Sequence, residues 1–95
     1  MTIARHYRLT PKSGAGEELR QALKALETAL SAIPGFEGAE MMRAPDPPHA
    51  VVFIEKWASP EAYKAGGASM PKPVLSQIMA ALEGPPEMAT YEYIT

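Results

Sequence analysis

The middle of the chain constrains the fold most, because two strand patterns there lie directly between a helix end and a helix start. Residues 36–43 and 50–57 are rich in apolar and aromatic side chains, and the connection 44–49 between them contains three prolines. Pro34-Gly35 is a helix-ending signal, and Ser59-Pro60-Glu61 combines an N-cap, a proline at the first helical position and an acid. The tract predicts a helix, two strands and another helix.

The first third of the chain changes from a period of two to a helical period. In residues 3–9, Ile3, Tyr7 and Leu9 share one parity with Arg5, whereas His6 has the other, which indicates a strand. After a turn-rich stretch, apolar residues recur every three or four positions from Glu17: Leu19, Ala22, Leu23, Leu26, Ala29, Leu30 and Ile33. This stripe predicts an amphipathic helix that stops at Pro34-Gly35.

The last third supplies the remaining elements. The helix that starts at Ser59 is predicted to run towards Ala65, where Gly66-Gly67 interrupts it, and a second apolar stripe covers residues 74–82. Residues 88–94 predict a final strand. The order β-α-β-β-α-β predicts an α+β, ferredoxin-like domain over residues 1–95, with a four-stranded antiparallel sheet and the helices on one face.

The strand at residues 50–57 carries apolar side chains on both faces. Val51, Phe53 and Trp57 share one face, and Val52 and Ile54 share the other. Two helices can cover only one face of such a sheet, so the other face needs a cover. A second copy of the chain is the simplest cover, and the sequence predicts a homodimer that pairs through the open sheet face.

Composition excludes several kinds of function. The chain has 9 basic and 11 acidic residues without a cluster of either, so no nucleic-acid partner is expected. It has no cysteine and no apolar run approaching about 18 residues, which excludes thiol chemistry and predicts no membrane partner. A cytoplasmic protein is expected. The two histidines, His6 and His49, lie far apart in sequence without patterned carboxylates, so no metal site is predicted.

Four segments together resemble the antibiotic biosynthesis monooxygenase family. They are IPGFEGAEMMR (33–43), VVFIEKWASPEAY (51–63), YRLTP (7–11) and EMATYEY (87–93), and the likeness extends over nearly the whole chain. The resemblance implies a small ferredoxin-like protein that pairs through its sheet into a dimeric α+β barrel. It also implies oxygenation of quinols or polyketide aromatics without metal or flavin, or, in one branch, oxidative haem breakdown.

The chain departs from this family where many members carry histidines. Their second helix reads roughly Ala-His-x-x-Ser-x-His, whereas the matching run 65–71 here is AGGASMP, so that Gly66 and Pro71 occupy the histidine positions. The residues typical of the haem-degrading branch are also missing, because Arg5 or His6 stands for its Asn, Gly66 for its Trp and Ser76 for its His. Haem breakdown is therefore disfavoured, and no cofactor is expected.

Oxygenation without a cofactor requires a base, a partner for the resulting anion and an apolar pocket. The candidates for the catalytic roles are Arg5, His6 and Tyr63. The predicted pocket for a small aromatic ligand comprises Tyr7, Phe53, Trp57, Met70 and Ile78. Other interpretations stay open: Arg5 could pair with Glu55 or Glu92, His6 could lie on the surface, and the aromatic residues could be ordinary core. Two functions follow, a cofactor-independent oxygenase of a small phenol, quinol or enolisable aromatic, or a non-catalytic dimeric ligand-binding module.

Overall fold

The computed structural model describes residues 1–94 and has the predicted ferredoxin-like architecture. The elements in chain order are β1 (Ile3–Leu9), α1 (Gly16–Leu30), β2 (Phe36–Arg43), β3 (Val51–Trp57), α2 (Pro60–Gly67), α3 (Lys72–Ala81) and β4 (Glu87–Glu92). The four strands form an antiparallel sheet in the order β2-β3-β1-β4. The predicted domain end at residue 95 lies outside the described residues.

Strand register determines which side chains share the face of the sheet that the helices cover. Tyr7 of β1 pairs with Phe53 of β3 and with Met88 of β4, and Arg5 pairs with Glu55 and Thr90. The core cluster contains Ile3, Leu9, Val51, Phe53 and Trp57 from this face, together with leucines of α1 and Ile78 of α3. The opposite face, here called the open face, carries Ala4, His6, Val52, Ile54 and Tyr91.

Helix α1 buries the predicted stripe but ends earlier than predicted. Its buried residues are Leu19, Ala22, Leu23, Leu26 and Leu30, and Glu17 and Glu18 in its first turn suit the positive end of the helix dipole. The helix ends at Leu30, and a further turn follows in which the Ile33 amide donates to the Leu30 carbonyl (2.9 Å). Gly35, with φ of 88°, therefore shapes the turn into β2 rather than capping the helix.

The second helical segment is divided into two helices, and the break follows directly after Gly67 rather than at Gly66. The Ser59 hydroxyl caps α2 by accepting from the Ala62 amide (3.0 Å), as its sequence predicts, and α2 continues through both glycines. Residues 68–71 are not helical, the last of them is Pro71, and α3 begins at Lys72. A proline at this point cannot donate to a continuing helical ladder.

The ends of two strands differ slightly from the prediction. β3 begins at Val51 rather than at residue 50, and β4 covers Glu87–Glu92 rather than residues 88–94.

Among residues 1–94, no helix is long and apolar enough to cross a membrane. The cytoplasmic location stays a prediction.

Leu26→Ala should lower the free energy of unfolding by about 2 to 5 kcal/mol, because the residue is buried on the sheet side of α1 and truncation leaves a larger void. Chemical denaturation measures the loss. Lys24→Ala, on the exposed side of the same helix, should change stability by less than about 0.5 kcal/mol. Equal losses in the two variants would contradict the helix register.

Candidate functional site

A cavity of about 270 Å³ lies between the helix-covered face of the sheet and the helices α1 and α3. Its lining is almost entirely apolar and consists of Tyr7, Leu9, Leu23, Leu26, Phe53, Glu55, Met70, Leu75, Ile78, Met79 and Pro86. A wider hollow between α1 and α3 has Glu18, Gln21 and Gln77 in its lining and is open to solvent. The apolar cavity is therefore the better site for a small organic ligand.

Four of the five predicted pocket residues line this cavity, namely Tyr7, Phe53, Met70 and Ile78. The fifth, Trp57, does not line it. Its side chain is fully buried and packs edge-on against Phe36 and Tyr63, with ring centres 5.4 Å and 5.9 Å away. Trp57 therefore belongs to the core beside the cavity, and its indole nitrogen links it to the cavity lining.

That link leads to Glu55, a cavity residue that the sequence-based prediction did not include. The Trp57 Nε1–H donates to Glu55 Oε1 (3.0 Å), and Glu55 is only 1% exposed. Among residues 1–94, Glu55 is the single carboxylate in the cavity lining. The sequence did hold a signal, because Glu55 has the same parity in β3 as Phe53 and Trp57, and an acid on a buried face is rare unless a specific role retains it.

Burial dominates the electrostatics of the site. It raises the pKa of Glu55, while the hydrogen bond from Trp57, the positive charge of Arg5 and the hydroxyl of Tyr7 act in the opposite direction. Burial also raises the pKa of Tyr7, and the negative charge of Glu55 raises it further. Tyr7 is thus a neutral phenol at physiological pH and can donate a hydrogen bond.

Arg5 lies next to the site but not in the cavity lining. Its guanidinium carbon is 4.8 Å from the ring centre of Tyr63 and 5.3 Å from that of Tyr7, distances typical of cation–π contacts. Arg5 Nη1 donates to Thr90 Oγ1 (2.6 Å), and Arg5 Nε donates to Tyr7 Oη (3.5 Å). Arg5 forms no ion pair with Glu55, so its charge acts on the carboxylate from a distance.

The other two catalytic candidates lie apart from each other. Tyr63 of α2 contacts Arg5 and Trp57, which places it at the Arg5 end of the site but outside the cavity lining. His6 lies on the open face, where its ring meets that of Tyr91 edge-on at 5.0 Å. The structure therefore brings Arg5, Tyr63 and Tyr7 together and places His6 on the other side of the sheet.

The packing around Gly66 explains why no side chain reaches the site from this position of α2. A Cβ atom there would lie 2.6 Å from Trp57 Cη2 and 2.8 Å from Trp57 Cζ3. Contacts between a Cβ atom and another heavy atom are essentially never shorter than 3.0 Å. The Trp57 ring therefore occupies the space that a larger residue at position 66 would need.

Gly66→Ala should therefore destabilise the protein by about 1 to 3 kcal/mol, as expected for an overpacked site, although alanine is the better helix former. Gly67→Ala is the matched control, because nothing lies within 4 Å of a Cβ at position 67 of the same helix. That variant should be neutral or slightly stabilised. Thermal unfolding of both proteins measures the difference, and a Gly66→Ala protein at least as stable as Gly67→Ala would show that Trp57 does not fill this space.

Potential metal ligands are scattered. Within the part of the chain that the structure describes, no three His, Cys, Asp or Glu side chains are grouped so that they could hold a metal ion.

The fold and the cavity define a small ferredoxin-like α+β protein with an apolar site under its sheet. The model of the antibiotic biosynthesis monooxygenase family matches residues 2–68. The chain belongs to this family, as its sequence motifs indicated. No curated protein matches the chain.

Several solved structures share the fold. SnoaB, a cofactor-independent oxygenase from Streptomyces nogalater, superposes with a TM-score of 0.87 at 20% identity, covering 99% of this chain and 94% of SnoaB. Rv0793 from Mycobacterium tuberculosis has a TM-score of 0.81 at 22% identity and covers 100% of this chain and 97% of its own. A conserved protein from Methanosarcina mazei Go1 has a TM-score of 0.84 at 14% identity, with coverages of 96% and 91%. At these identities the likeness establishes the fold alone.

Proposed function

We propose that the protein is a cofactor-independent monooxygenase that oxidises a small phenol, quinol or enolisable aromatic in the apolar cavity. The observation that carries the proposal is the composition of the cavity, whose lining residues are apolar except for Tyr7 and Glu55. Membership of the family and the shared fold with SnoaB, itself a cofactor-independent oxygenase, support this assignment.

The cavity matches what such a reaction needs. Without metal or flavin, the organic substrate must itself donate electrons to dioxygen, and it does so more readily once its hydroxyl or enol has lost a proton. An apolar lining accepts both an aromatic ring and dioxygen. An engineered cavity of about 150 Å³ holds benzene, so a volume of about 270 Å³ suits a substrate with one or two rings.

A specific observation also favours the second function, a non-catalytic ligand-binding module. No histidine lines the cavity among the described residues, and the Trp57 ring leaves no room for a side chain at position 66. Such a module would bind the same aromatic ligands and would leave both ligand and dioxygen unchanged.

Oxygen uptake separates the two functions. Protein freed of metal and flavin is mixed with a panel of phenols, quinols and enolisable ketones, and both binding and dioxygen consumption are measured. The oxygenase assignment predicts uptake with at least one compound that binds. In Leu75→Trp, where a larger side chain at the partly exposed cavity wall occludes the space, both signals should fall at least tenfold. Binding without uptake across the panel would support the module instead.

We also propose that two copies pair through the open face. At its centre Ile54 is already buried by its neighbours (9% exposed) and Val52 is partly buried, whereas Met42, Tyr91 and Tyr93 leave about half of their area exposed nearby. So many apolar and aromatic side chains on one uncovered surface are typical of an interface. A second copy would cover them.

Sedimentation should show a dimer at micromolar concentration. The interface is expected to bury on the order of 2,000 Å² or more, as obligate interfaces do. Val52→Lys, which places a charge at the centre of the open face, should shift the protein to monomer. Thr28→Lys, on the exposed side of α1, should remain a dimer. A wild-type protein that sediments as a monomer would contradict the pairing.

A further inference from the structure

We infer that Glu55 is the base of the cavity, and that it accepts the hydroxyl proton of a neutral phenol or enol so that the negative charge passes from the carboxylate to the substrate oxygen. The substrate class is therefore an uncharged aromatic hydrogen-bond donor rather than a carboxylated or phosphorylated compound. The oxidation that follows rests on the proposed function, whereas the proton transfer can be tested without it.

The position of Glu55 in the cavity wall supports this role. One of its oxygens accepts from the Trp57 indole at 3.0 Å, which holds the carboxylate in place. A carboxylate has about four acceptor positions on its two oxygens, so the Trp57 indole and the nearby Tyr7 hydroxyl leave it able to accept from a ligand as well. Since Tyr7 and Glu55 are the polar side chains of the described lining, the hydroxyl of a bound aromatic must meet one of them or lose its hydrogen bonds.

The charge balance makes the transfer feasible inside an apolar site. The O–H bond of the substrate breaks, a bond from the proton to a Glu55 oxygen forms, and the cavity holds one negative charge before and after. If a phenol in the apolar cavity released its proton to water, an additional buried charge would form. Burying a charge in this way is costly. When Glu55 keeps the proton, the charge only moves. Burial raises the pKa of Glu55, which brings it closer to the value of about 10 typical of a phenol.

The groups that face Glu55 from neighbouring elements also favour transfer of the proton from the substrate to Glu55. From β1, Tyr7 is a neutral donor beside the carboxylate, and the positive charge of Arg5 stabilises a negative charge on either partner. From α2, Tyr63 stacks on Arg5. The helices α1 and α3 contribute Leu23, Leu26 and Ile78 at the cavity, which carry no charge. Arg5 is accordingly a positioning residue, which acts on the carboxylate from outside the lining.

The test uses 4-nitrophenol, whose neutral and ionised forms differ in absorbance, bound to metal-free and flavin-free protein without dioxygen. In the wild type, most of the bound probe should be in its ionised form. This ionised fraction should stay constant over a range of pH, because the proton stays on Glu55. In Glu55→Gln the probe should bind within about threefold of the wild-type affinity but remain neutral, and it should titrate at a pH above that of the free probe. Glu83→Gln, which removes an exposed carboxylate just after α3, should behave like the wild type.

Infrared difference spectra of the wild type give a second measurement that does not depend on a variant. Binding of the probe should produce the carbonyl band of a protonated carboxylic acid. A bound probe that stays neutral in the wild type, a probe ionised equally in Glu55→Gln, or no binding at millimolar concentration would each overturn the inference. Ionisation without later dioxygen uptake would retain Glu55 as the proton acceptor and refute the oxygenase function alone.

Discussion

Replacing Glu55 with glutamine is expected to lower kcat for the best phenol or quinol by about a hundredfold to ten-thousandfold, the range that a general base contributes. The substitution keeps the size of the side chain and its bond from the Trp57 indole, so KM should change little. The matched variant Glu83→Gln removes an exposed carboxylate just after α3 and should keep wild-type kinetics. A folded Glu55→Gln protein with kcat within threefold of the wild type would remove Glu55 from the reaction.

The pH dependence of stability provides an independent measurement of the same residue. Because burial raises the pKa of Glu55 in the folded protein, the folded state holds this proton more tightly than the unfolded state does. The stability that protonated Glu55 contributes is present below its ordinary pKa of 4.5 and is lost as the pH rises through the higher folded-state pKa. The unfolding free energy of the wild type minus that of Glu55→Gln should therefore decrease with rising pH above about 4. An increase over the same interval would mean that the pKa is lowered.

Trp57→Ala is expected to cause the largest loss of stability, about 3 to 5 kcal/mol. The side chain is fully buried between Phe36, Tyr63 and Gly66, and its removal also leaves the buried carboxylate of Glu55 without its indole donor. Since small domains are stable by only about 5 to 15 kcal/mol, the variant should lie close to unfolding. Chemical denaturation followed by far-ultraviolet circular dichroism measures the change.

Trp57→Phe separates the two contributions of the tryptophan. It keeps one aromatic ring in the core and removes the indole N–H together with the second ring, so it should be less destabilised than Trp57→Ala. The pKa of Glu55 should rise further, because the hydrogen bond that lowers it is gone. A Trp57→Ala protein that loses less than about 1 kcal/mol would contradict the position of Trp57 in the core.

Much of the fold could be predicted from periodicity. The bounds of β1 and β2 and the buried stripe of α1 follow directly from alternation and from the three- and four-residue spacing. The start of α2 was predicted, but the inclusion of its glycines could not be, because Gly66 is favoured there by contact with Trp57 from another element and not by any local preference. The same holds for Gly35, where an added Cβ would lie 2.5 Å from the Ala62 Cβ.

The site was predictable only in part. Parity in β1 and β3 assigned Tyr7, Phe53 and Arg5 to one face and His6 to the other. Parity cannot tell a side chain in the cavity wall from one packed in the core, which is why Trp57 was predicted as a pocket residue. The sequence analysis also gave Glu55 no role beyond that of a partner for Arg5. Its neighbours on the same face of β3, Phe53 and Trp57, nevertheless indicated that it is buried.

The most direct test of the account supplies dioxygen labelled with the heavy isotope to wild-type protein freed of metal and flavin, together with the quinol or phenol that gives the fastest uptake. Mass spectrometry of the product should show one labelled oxygen atom per molecule, since a monooxygenase transfers one atom to its substrate and the other to water. A product without label, or turnover only after metal or flavin is added, would contradict cofactor-independent oxygenation in this cavity.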